Sequence, residues 1–216
     1  MKIQNYVAEF FGTFMLVFLG TATVVIAKGN VLAIGLAFGL AITISAYSFG
    51  AVSGGHFNPA VTTAMWLNKK IEGADAIGYI ISQFIGALVA SGFVKYFVSA
   101  LGQDTTALGQ TDFTKISSFT ALIVECLATF LFVLIILLVT SDRFGNGMMA
   151  GLIIGITLAF LIIVCLNLTG GSLNPARSFG PSLLAGGSAI SHYWVYLLAP
   201  EIGAVLAAYC ARFFDK

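Results

Sequence analysis

The sequence predicts an all-α integral membrane protein with six transmembrane helices, two re-entrant half-helices and an inverted internal repeat. Three observations predict this fold: an apolar composition, six apolar runs of membrane-spanning length, and landmarks that recur at one constant offset. The 216 residues are 59% hydrophobic and 9% charged, with a mean hydropathy of +1.00. A soluble domain carries roughly a quarter charged residues. We therefore expect lipid to surround most of the surface of this protein.

The charged and sulfur-containing residues exclude several classes of function. Ten basic residues oppose nine acidic ones, so no basic stripe is available to neutralise a nucleic acid backbone. No Ser-His pair, paired aspartates or metal-binding helix motif lies within the apolar runs, so we predict no enzymatic activity, no metal and no cofactor. The three cysteines have no metal-ligand or redox spacing and are expected to be buried apolar side chains: Cys126, Cys165 and Cys210.

Apolar runs of about 20 residues can each cross a bilayer as a helix. The first run is longer than the core of a secretory signal and contains Glu9, so we predict that it is a retained span. Two further runs are too short to cross, and each begins with Asn-Pro, a pair that suits a helix start. The predicted spans are Tyr6–Ala27, Val31–Ala51, Ala76–Val98, Phe119–Thr140, Gly147–Leu168 and Ser191–Phe213, and the half-helices are Asn58–Leu67 and Asn174–Leu184.

The two halves of the chain resemble each other at a constant offset of 116 residues. We predict one channel-type domain over 1–216, with repeat 1 at about 1–100, repeat 2 at about 117–216, and 101–116 as the connecting loop. Because each repeat holds three spans, the second copy begins on the opposite membrane face and the halves are inverted. The matching landmarks are Glu9 with Glu125, Gly35 with Gly151, Gly39 with Gly155, and Asn58-Pro59-Ala60 with Asn174-Pro175-Ala176.

The distribution of basic residues predicts the orientation in the membrane. Cytoplasmic loops carry an excess of Lys and Arg. This bias is satisfied when both termini are cytoplasmic, and we expect a multi-pass protein of the cell membrane. In that orientation Lys2, Lys69, Lys70, Arg143, Arg212 and Lys216 lie inside, and Lys28, Lys95 and Lys115 lie outside.

Inversion makes the two half-helices enter from opposite faces and meet head to head at mid-membrane. Their N-termini bring together positive dipole ends and unpaired backbone N–H groups, a field that repels cations. We expect the carbonyl oxygens of Asn58 and Asn174 to cap the half-helices and their amide N–H groups to face a lumen. Water there would meet donors only, which orients it and opposes a proton-conducting chain.

The segment before each half-helix is rich in glycine, which permits an unusual, close-packed backbone. Non-helical backbone at this depth needs a water-filled lining, so its carbonyls are candidate acceptors for solute hydroxyls. Glu9 and Glu125 are costly within a membrane unless partnered, and we expect them to brace these segments; a proton relay is the alternative. For His56 two roles remain open: it either forms part of the pore wall or packs against its neighbours. The predicted lining is Gly54, Gly55, His56, Phe57, Gly170, Ser172 and Leu173.

Arg177 follows the second Asn-Pro-Ala and has no acidic neighbour in the sequence. A guanidinium in an apolar half without such a neighbour has no inexpensive structural explanation, so we predict that it faces the pore.

At SGGHFNPAVT and LNPARSFGP the chain resembles the major intrinsic proteins, the family of aquaporins and glycerol facilitators. The resemblance covers essentially the whole chain, and two Asn-Pro-Ala motifs at the repeat offset, with the following arginine and the intramembrane glutamates, are highly specific. It implies six helices and two half-helices assembled as a homotetramer with one pore per subunit. It also implies passive conduction without a cofactor.

The resemblance places an outer constriction at Phe38, Ile162, Gly171 and Arg177. Similar strict water channels usually have His in place of Ile162 and Thr or Cys near Gly171, whereas glycerol facilitators have Trp, Gly and Phe at the first three positions. The constriction is therefore expected to be wider and more apolar than that of a water channel. Ser178 follows the arginine as in water channels, so the sequence is intermediate.

The expected function is a passive channel for water and small uncharged solutes, with glycerol as the leading solute, that excludes ions and protons. Hydrogen peroxide and protonated small organic acids such as lactic acid are further candidates. A strict water channel is one alternative. The other is a proton-coupled secondary transporter, for which Glu9 and Glu125 would be the relay.

Overall fold

The computed structural model describes residues 2–143 and 145–214. Within these ranges the chain forms helices and connecting loops and contains no β-strand. The helices, in chain order, are α1 (Ile3–Val25), α2 (Val31–Ser53), α3 (Pro59–Leu67), α4 (Gly73–Ala100), α5 (Ser118–Val139), α6 (Gly147–Thr169), α7 (Pro175–Ala185), α8 (Gly187–Ser191) and α9 (Tyr193–Phe214).

Six of these helices are long and apolar enough to cross a membrane: α1, α2, α4, α5, α6 and α9. The six predicted spans are thus confirmed, with ends that differ by a few residues. The start differs by three residues in two helices: α1 begins at Ile3 rather than Tyr6, and α4 begins at Gly73 rather than Ala76 because its first turn carries Asp75 and falls outside an apolar window. No pattern in the sequence predicted α8, a helix of 5 residues next to α9.

The half-helices α3 and α7 each pack against the opposite repeat. In the first half α1 packs against α2 and α4, and in the second half α5 packs against α6 and α9. Helix α3 contacts α9, while α7 contacts α4. Each repeat therefore contributes its half-helix to the other, and the halves form one interlocked bundle.

Helices α2 and α6 join the halves through a repeat-related pair of glycines. A Cβ on Gly39 would lie 2.4 Å from the carbonyl oxygen of Gly155, and a Cβ on Gly155 would lie 1.8 Å from Thr43 Oγ1. Larger residues would force the helices apart, as at other small-residue contacts in membranes. Large apolar side chains cover the outer faces of the long helices, including Ile3, Leu40, Ile81, Ile123, Phe160 and Leu206.

Candidate functional site

The first half-helix begins at Asn58, whose side chain joins the two repeats. Its Oδ1 accepts a hydrogen bond from the backbone N–H of Ala60 at 2.9 Å, and Pro59 occupies the first helical turn. Its Nδ2 donates to the carbonyl oxygen of Leu173 at 2.7 Å. Asn58 therefore caps α3 and also ties the first repeat to the second.

The second half-helix begins at Asn174 with the mirrored arrangement. Its Oδ1 accepts from the backbone N–H groups of Ala176 and Arg177 at 3.0 and 3.1 Å, and Pro175 begins the helix. Its Nδ2 donates to the carbonyl oxygen of Phe57 at 2.9 Å. Each amide group carries two N–H donors. One N–H of each asparagine is thus used between the repeats, which the sequence did not reveal, and one is left for a solute.

The segments that lead into the half-helices have a left-handed backbone. In the first repeat φ is 88° at Gly54, 70° at Gly55 and 50° at Phe57. Phe57 is not a glycine, and such a conformation costs on the order of 1–3 kcal/mol. In the second repeat the matching φ values are 82°, 60° and 56°, at Gly170, Gly171 and Leu173.

Glu9 of α1 is fully buried and binds the first of these segments. Its carboxylate accepts from the backbone N–H groups of His56 and Phe57 at 2.9 and 2.6 Å. Ser53 Oγ and Gln83 Nε2 donate to it as well, each at 2.7 Å. Four donors at one carboxylate make this a charge-assisted network that holds the strained segment in place.

Glu125 of α5 binds the second segment in the same way. It is fully buried and accepts from the backbone N–H groups of Ser172 and Leu173 at 3.0 and 2.9 Å and from Thr169 Oγ1 at 2.6 Å. Neither glutamate lines the cavity described next, so both contact the loops rather than the lumen.

A narrow cavity of about 40 Å³ runs through the centre of the bundle. It adjoins two wider vestibules of about 560 and 550 Å³ on the side of the α5–α6 turn, which we call the vestibule side. Ten of the predicted site residues line the narrow cavity: Phe38, Gly54, Gly55, His56, Asn58, Ile162, Ser172, Leu173, Asn174 and Arg177.

Most of the remaining predicted residues lie directly behind this lining. Pro59, Ala60, Pro175 and Ala176 form the first turns of the half-helices and are buried. Gly170 lies against the connecting loop, where an added Cβ would be 3.0 Å from the Cα of Thr111.

Phe57 also lies behind the lining, and its ring fills the space left by Gly12, where a Cβ would approach it to 2.1 Å. Its carbonyl and that of Leu173 accept from the asparagines. The expected row of free solute acceptors is therefore shorter than the sequence suggested.

Arg177 lies at the other end of the cavity, which we call the Arg177 mouth. Only 2% of this residue is exposed; its guanidinium carbon lies 4.6 Å from the centre of the Phe38 ring, and Nη1 donates to the carbonyl oxygen of Gly109 at 3.0 Å. Its Nε is buried and finds no acceptor within the described residues. A Cβ on Gly171 would lie 3.6 Å from Ile162 Cδ1, so these two positions are neighbours.

His56 combines the two roles that the sequence left open. It lines the cavity, and only 7% of it is exposed. Its Nδ1 lies 3.1 Å from Thr62 Oγ1, and its ring packs edge-on against Tyr79 with the centroids 5.1 Å apart. The histidine is thus both a packed residue and part of the wall on the vestibule side.

Sequence reasoning missed much of the apolar wall and the polar residues behind it. The wall could have been found from helical spacing, since Ile42 and Ala46 follow Phe38, and Ile154 and Leu158 precede Ile162, at intervals of four. Gln83 could have been noticed as an isolated amide in a span, but nothing local singles out Gly109 or Thr111. The missed cavity residues are Leu16, Ile42, Ala46, Val61, Met65, Phe132, Ile136, Thr140, Ile154 and Leu158.

A bundle of six membrane-spanning helices, with a narrow central cavity between two half-helices that meet by their N-termini, is a transmembrane channel. The model of the family described as Major intrinsic protein matches residues 1–210, and the chain belongs to that family. It is 73% identical over 210 residues to "Glycerol uptake facilitator protein-like 6" of Lactiplantibacillus plantarum, covering 97% of each chain.

Two further comparisons agree with this family. The chain is 40% identical over 233 residues to "Aquaporin AqpM" of Methanothermobacter marburgensis, covering 95% of this chain and 94% of the relative. Among solved structures it is similar to the aquaglyceroporin from Plasmodium falciparum, with a TM-score of 0.87 and 26% identity, covering 99% and 96% of the two chains.

Proposed function

We propose that this protein is a passive channel for water and small uncharged solutes, with glycerol as the leading solute, and that it excludes ions and protons. The observation that carries the proposal is the Arg177 mouth, where a buried guanidinium faces the cavity alongside the apolar side chains of Phe38 and Ile162. The name of the relative that is 73% identical, a glycerol uptake facilitator-like protein, supports the choice of solute.

The two walls of the mouth match the two edges of a small polyol. Glycerol presents hydroxyl groups on one edge and C–H groups on the other. Donors from Arg177 would bind the hydroxyl oxygens, while Phe38 and Ile162 would contact the carbon edge, so the solute would lose little hydrogen bonding on entry. Further along, the remaining amide N–H groups of Asn58 and Asn174 would donate to the same oxygens.

The same groups would reject ions and protons. The positive charge of Arg177 lies at the narrow end of the cavity with little solvent to screen it, which raises the energy of any cation there. The N-termini of α3 and α7 add positive dipole ends at mid-membrane. Water molecules that receive hydrogen bonds from both asparagines would be turned with their oxygens toward them, which interrupts proton transfer.

Hydrogen peroxide and protonated small organic acids such as lactic acid satisfy the same requirements, because each is neutral and carries hydroxyl oxygens. We include them as further solutes. A strict water channel is the alternative within this fold. The positions of Glu9 and Glu125 support a bracing role over a proton relay, since both carboxylates are taken up by loop donors behind the cavity wall.

Stopped-flow light scattering on proteoliposomes tests the proposal, with water, glycerol, hydrogen peroxide and lactic acid compared against empty vesicles. Glycerol flux well above that of empty vesicles, independent of pH and Na⁺ gradients, is expected. Glycerol flux equal to background, with water flux raised, would leave a strict water channel. Flux that follows a proton gradient would instead identify a transporter.

The assembly and orientation are part of the proposal. We propose a homotetramer in the cell membrane with both termini in the cytoplasm. The family supports the tetramer, and the excess of basic residues at the ends and turns supports the orientation. Native mass spectrometry from detergent should give about four times the 22.7 kDa chain. Reporter fusions at each terminus should be active only on the cytoplasmic face.

A further inference from the structure

The connecting loop between α4 and α5 supplies direct contacts to the half-helix that carries Arg177. The carbonyl oxygen of Gly109 accepts from Arg177 Nη1 at 3.0 Å, and Thr111 Oγ1 donates to Ser178 Oγ at 2.7 Å. Thr111 and Ser178 are fully buried. We call residues 109–113 the strap, because they lie across the Arg177 mouth and bind the residues that form it.

A cluster at the junction of α8 and α9 fastens the far end of the strap. Asp112 Oδ1 lies 2.7 Å from His192 Nδ1 and also accepts from the backbone N–H of Phe113 at 2.8 Å. Ser188 Oγ donates to Asp112 Oδ2. The Phe113 ring stacks on the His192 ring, with centroids 4.3 Å apart and planes 17° from parallel. The side chains of Asp112 and His192 are 23% and 31% exposed, so the cluster is reachable from solvent.

The strap has little freedom between these two attachments. At Gly109 φ is 69°, and a Cβ there would lie 3.0 Å from the Cβ of Thr21, so the backbone is wedged against α1. Asp112 is only three residues further on, a span of at most about 10 Å. A shift of the Asp112 end is therefore transmitted to the Gly109 carbonyl rather than absorbed by slack.

We propose that Asp112 and His192 are positioning residues for Arg177, and that through the strap they set how strongly the channel discriminates between glycerol and water. The specificity part rests on the proposed function. The Gly109 carbonyl holds the guanidinium against the wall of the mouth. Without that hold, the guanidinium moves toward the lumen and obstructs the larger solute more than water.

Two substitutions of His192, each of which removes a different contact, distinguish a positioning role from a packing role. His192→Phe keeps the stacking on Phe113 but loses the hydrogen bond to Asp112, whereas His192→Asn keeps a donor near the Nδ1 position and loses the ring. Asp104→Asn is the matched control, because Asp104 lies in the same loop and accepts from Thr106 without touching the mouth.

The first readout is the ratio of glycerol to water permeability measured on the same vesicles. This ratio does not depend on how many channels are folded, so a purely structural loss leaves it unchanged. We expect His192→Phe and Asp112→Ala to lower the ratio by about threefold or more, in line with the net contribution of one typical hydrogen bond. His192→Asn should restore most of the ratio, and Asp104→Asn should match the wild type.

The second readout needs no solute. The chain has three arginines, at 143, 177 and 212, so ¹⁵N side-chain signals can be assigned by solid-state NMR with Arg143→Lys and Arg212→Lys. The Arg177 signal should move in His192→Phe and stay in place in His192→Asn.

An unchanged ratio together with an unchanged Arg177 signal in His192→Phe and Asp112→Ala would overturn the inference. A wild type that passes water but no glycerol would overturn the proposed function. The positioning of Arg177 is then decided by the NMR signal alone.

Discussion

The two loops that lead into the half-helices share one backbone design but have different supports. In the first half, Thr62 Oγ1 lies 3.1 Å from His56 Nδ1 and accepts from Gln83 Nε2 at 3.0 Å, so the polar cluster is closed by helix α4. In the second half, Ser178 Oγ lies 2.6 Å from Ser172 Oγ and accepts from Thr111, so the cluster is closed by the strap. In the half that carries Arg177, the polar cluster therefore depends on a connecting loop for its last hydrogen bond, whereas in the other half it depends on a helix.

The cavity walls show the same contrast between related positions. Phe38 and Ile162 stand at the Arg177 mouth, and their repeat partners at the offset of 116 are Ile154 and Ala46, which border the vestibule side. One inverted plan thus gives a narrow end, where Phe38 and Ile162 lie beside the buried Arg177, and a wide end, where the related wall positions are Ile154 and Ala46. The difference lies in a few side chains, and substitutions at repeat-related positions can test it.

The largest expected effect is loss of the brace in the second half. Glu125→Ala leaves three buried donors unpaired, at about 1–3 kcal/mol each, which amounts to about 3–9 kcal/mol of unfolding free energy. It also removes the negative charge nearest to Arg177. Glu9→Ala also leaves Ser53 and the backbone N–H groups of His56 and Phe57 unpaired. Gln83 keeps its bond to Thr62, however, and no buried arginine loses its nearest negative charge, so the loss should be smaller.

Thermal unfolding in detergent, followed by tryptophan fluorescence, measures this difference. Glu125→Gln is the control, because it keeps one acceptor oxygen and should be intermediate. Equal losses in Glu125→Ala and Glu9→Ala would show that the second brace has no special dependence on Arg177.

Making the second half like the first should have the next largest effect. Val61 occupies the position related to Arg177, so Arg177→Val removes the charge from the mouth and keeps an apolar side chain. We expect proton and cation leak to rise by roughly tenfold or more, which corresponds to a barrier lower by about 1.4 kcal/mol. A pH-sensitive dye in vesicles with valinomycin measures the leak, and Arg177→Lys, which keeps the charge, should leak no more than the wild type. If Arg177→Val leaked no more than the wild type, the barrier to protons and cations would lie at the half-helix dipoles alone.

Much of this contrast could be predicted from the sequence, because its signals are local. Hydropathy defines the spans, Asn-Pro defines the starts of α3 and α7, and a fixed offset defines the repeat. The departure from symmetry at Arg177 was also visible, since the first half has Val61 there. These features depend on residue type and spacing, which a sequence contains directly.

The support of the mouth was not predictable, because it consists of contacts between distant segments. Gly109 acts through its backbone carbonyl, which every residue possesses, so no side-chain pattern marks it. Asp112 and His192 are 80 residues apart, and the sequence around each one indicates only a polar surface residue. The sharing of each asparagine amide between lumen and opposite repeat likewise requires knowledge of the docked loops.

Narrowing the mouth should have a more selective effect. Ile162→His places an imidazole beside Arg177, and we expect glycerol permeability to fall by about tenfold while water stays within about twofold, because pore diameter and lining donors decide selectivity. Ile154→His is the matched control on the same helix at the wide end, and it should leave both permeabilities nearly unchanged. Undiminished glycerol flux in Ile162→His, measured by stopped flow, would show that Ile162 does not border the constriction.

The smallest expected effect concerns pH and the strap. Burial alone would raise the pKa of Asp112, but hydrogen bonds from Ser188, His192 and the Phe113 N–H outweigh it and hold the pKa below its ordinary value. A lowered pKa in the folded state means that the stabilisation is present at neutral pH and is lost only as pH falls through that pKa. Protonated His192 still donates through Nδ1, and Tyr196, the other titratable group beside Phe113, donates its hydroxyl to the Thr169 carbonyl at 2.6 Å.

The glycerol-to-water ratio should therefore stay constant from pH 7 down to about 4, the ordinary range of a carboxyl, and fall below it as Asp112 takes up a proton. Stopped-flow measurements across this range test the expectation. Asp112→Asn has no carboxyl to titrate and should start from a lower ratio that stays level over the same interval. A decline that begins well above pH 4 in the wild type, or that persists in Asp112→Asn, would assign the pH response to a group outside the strap.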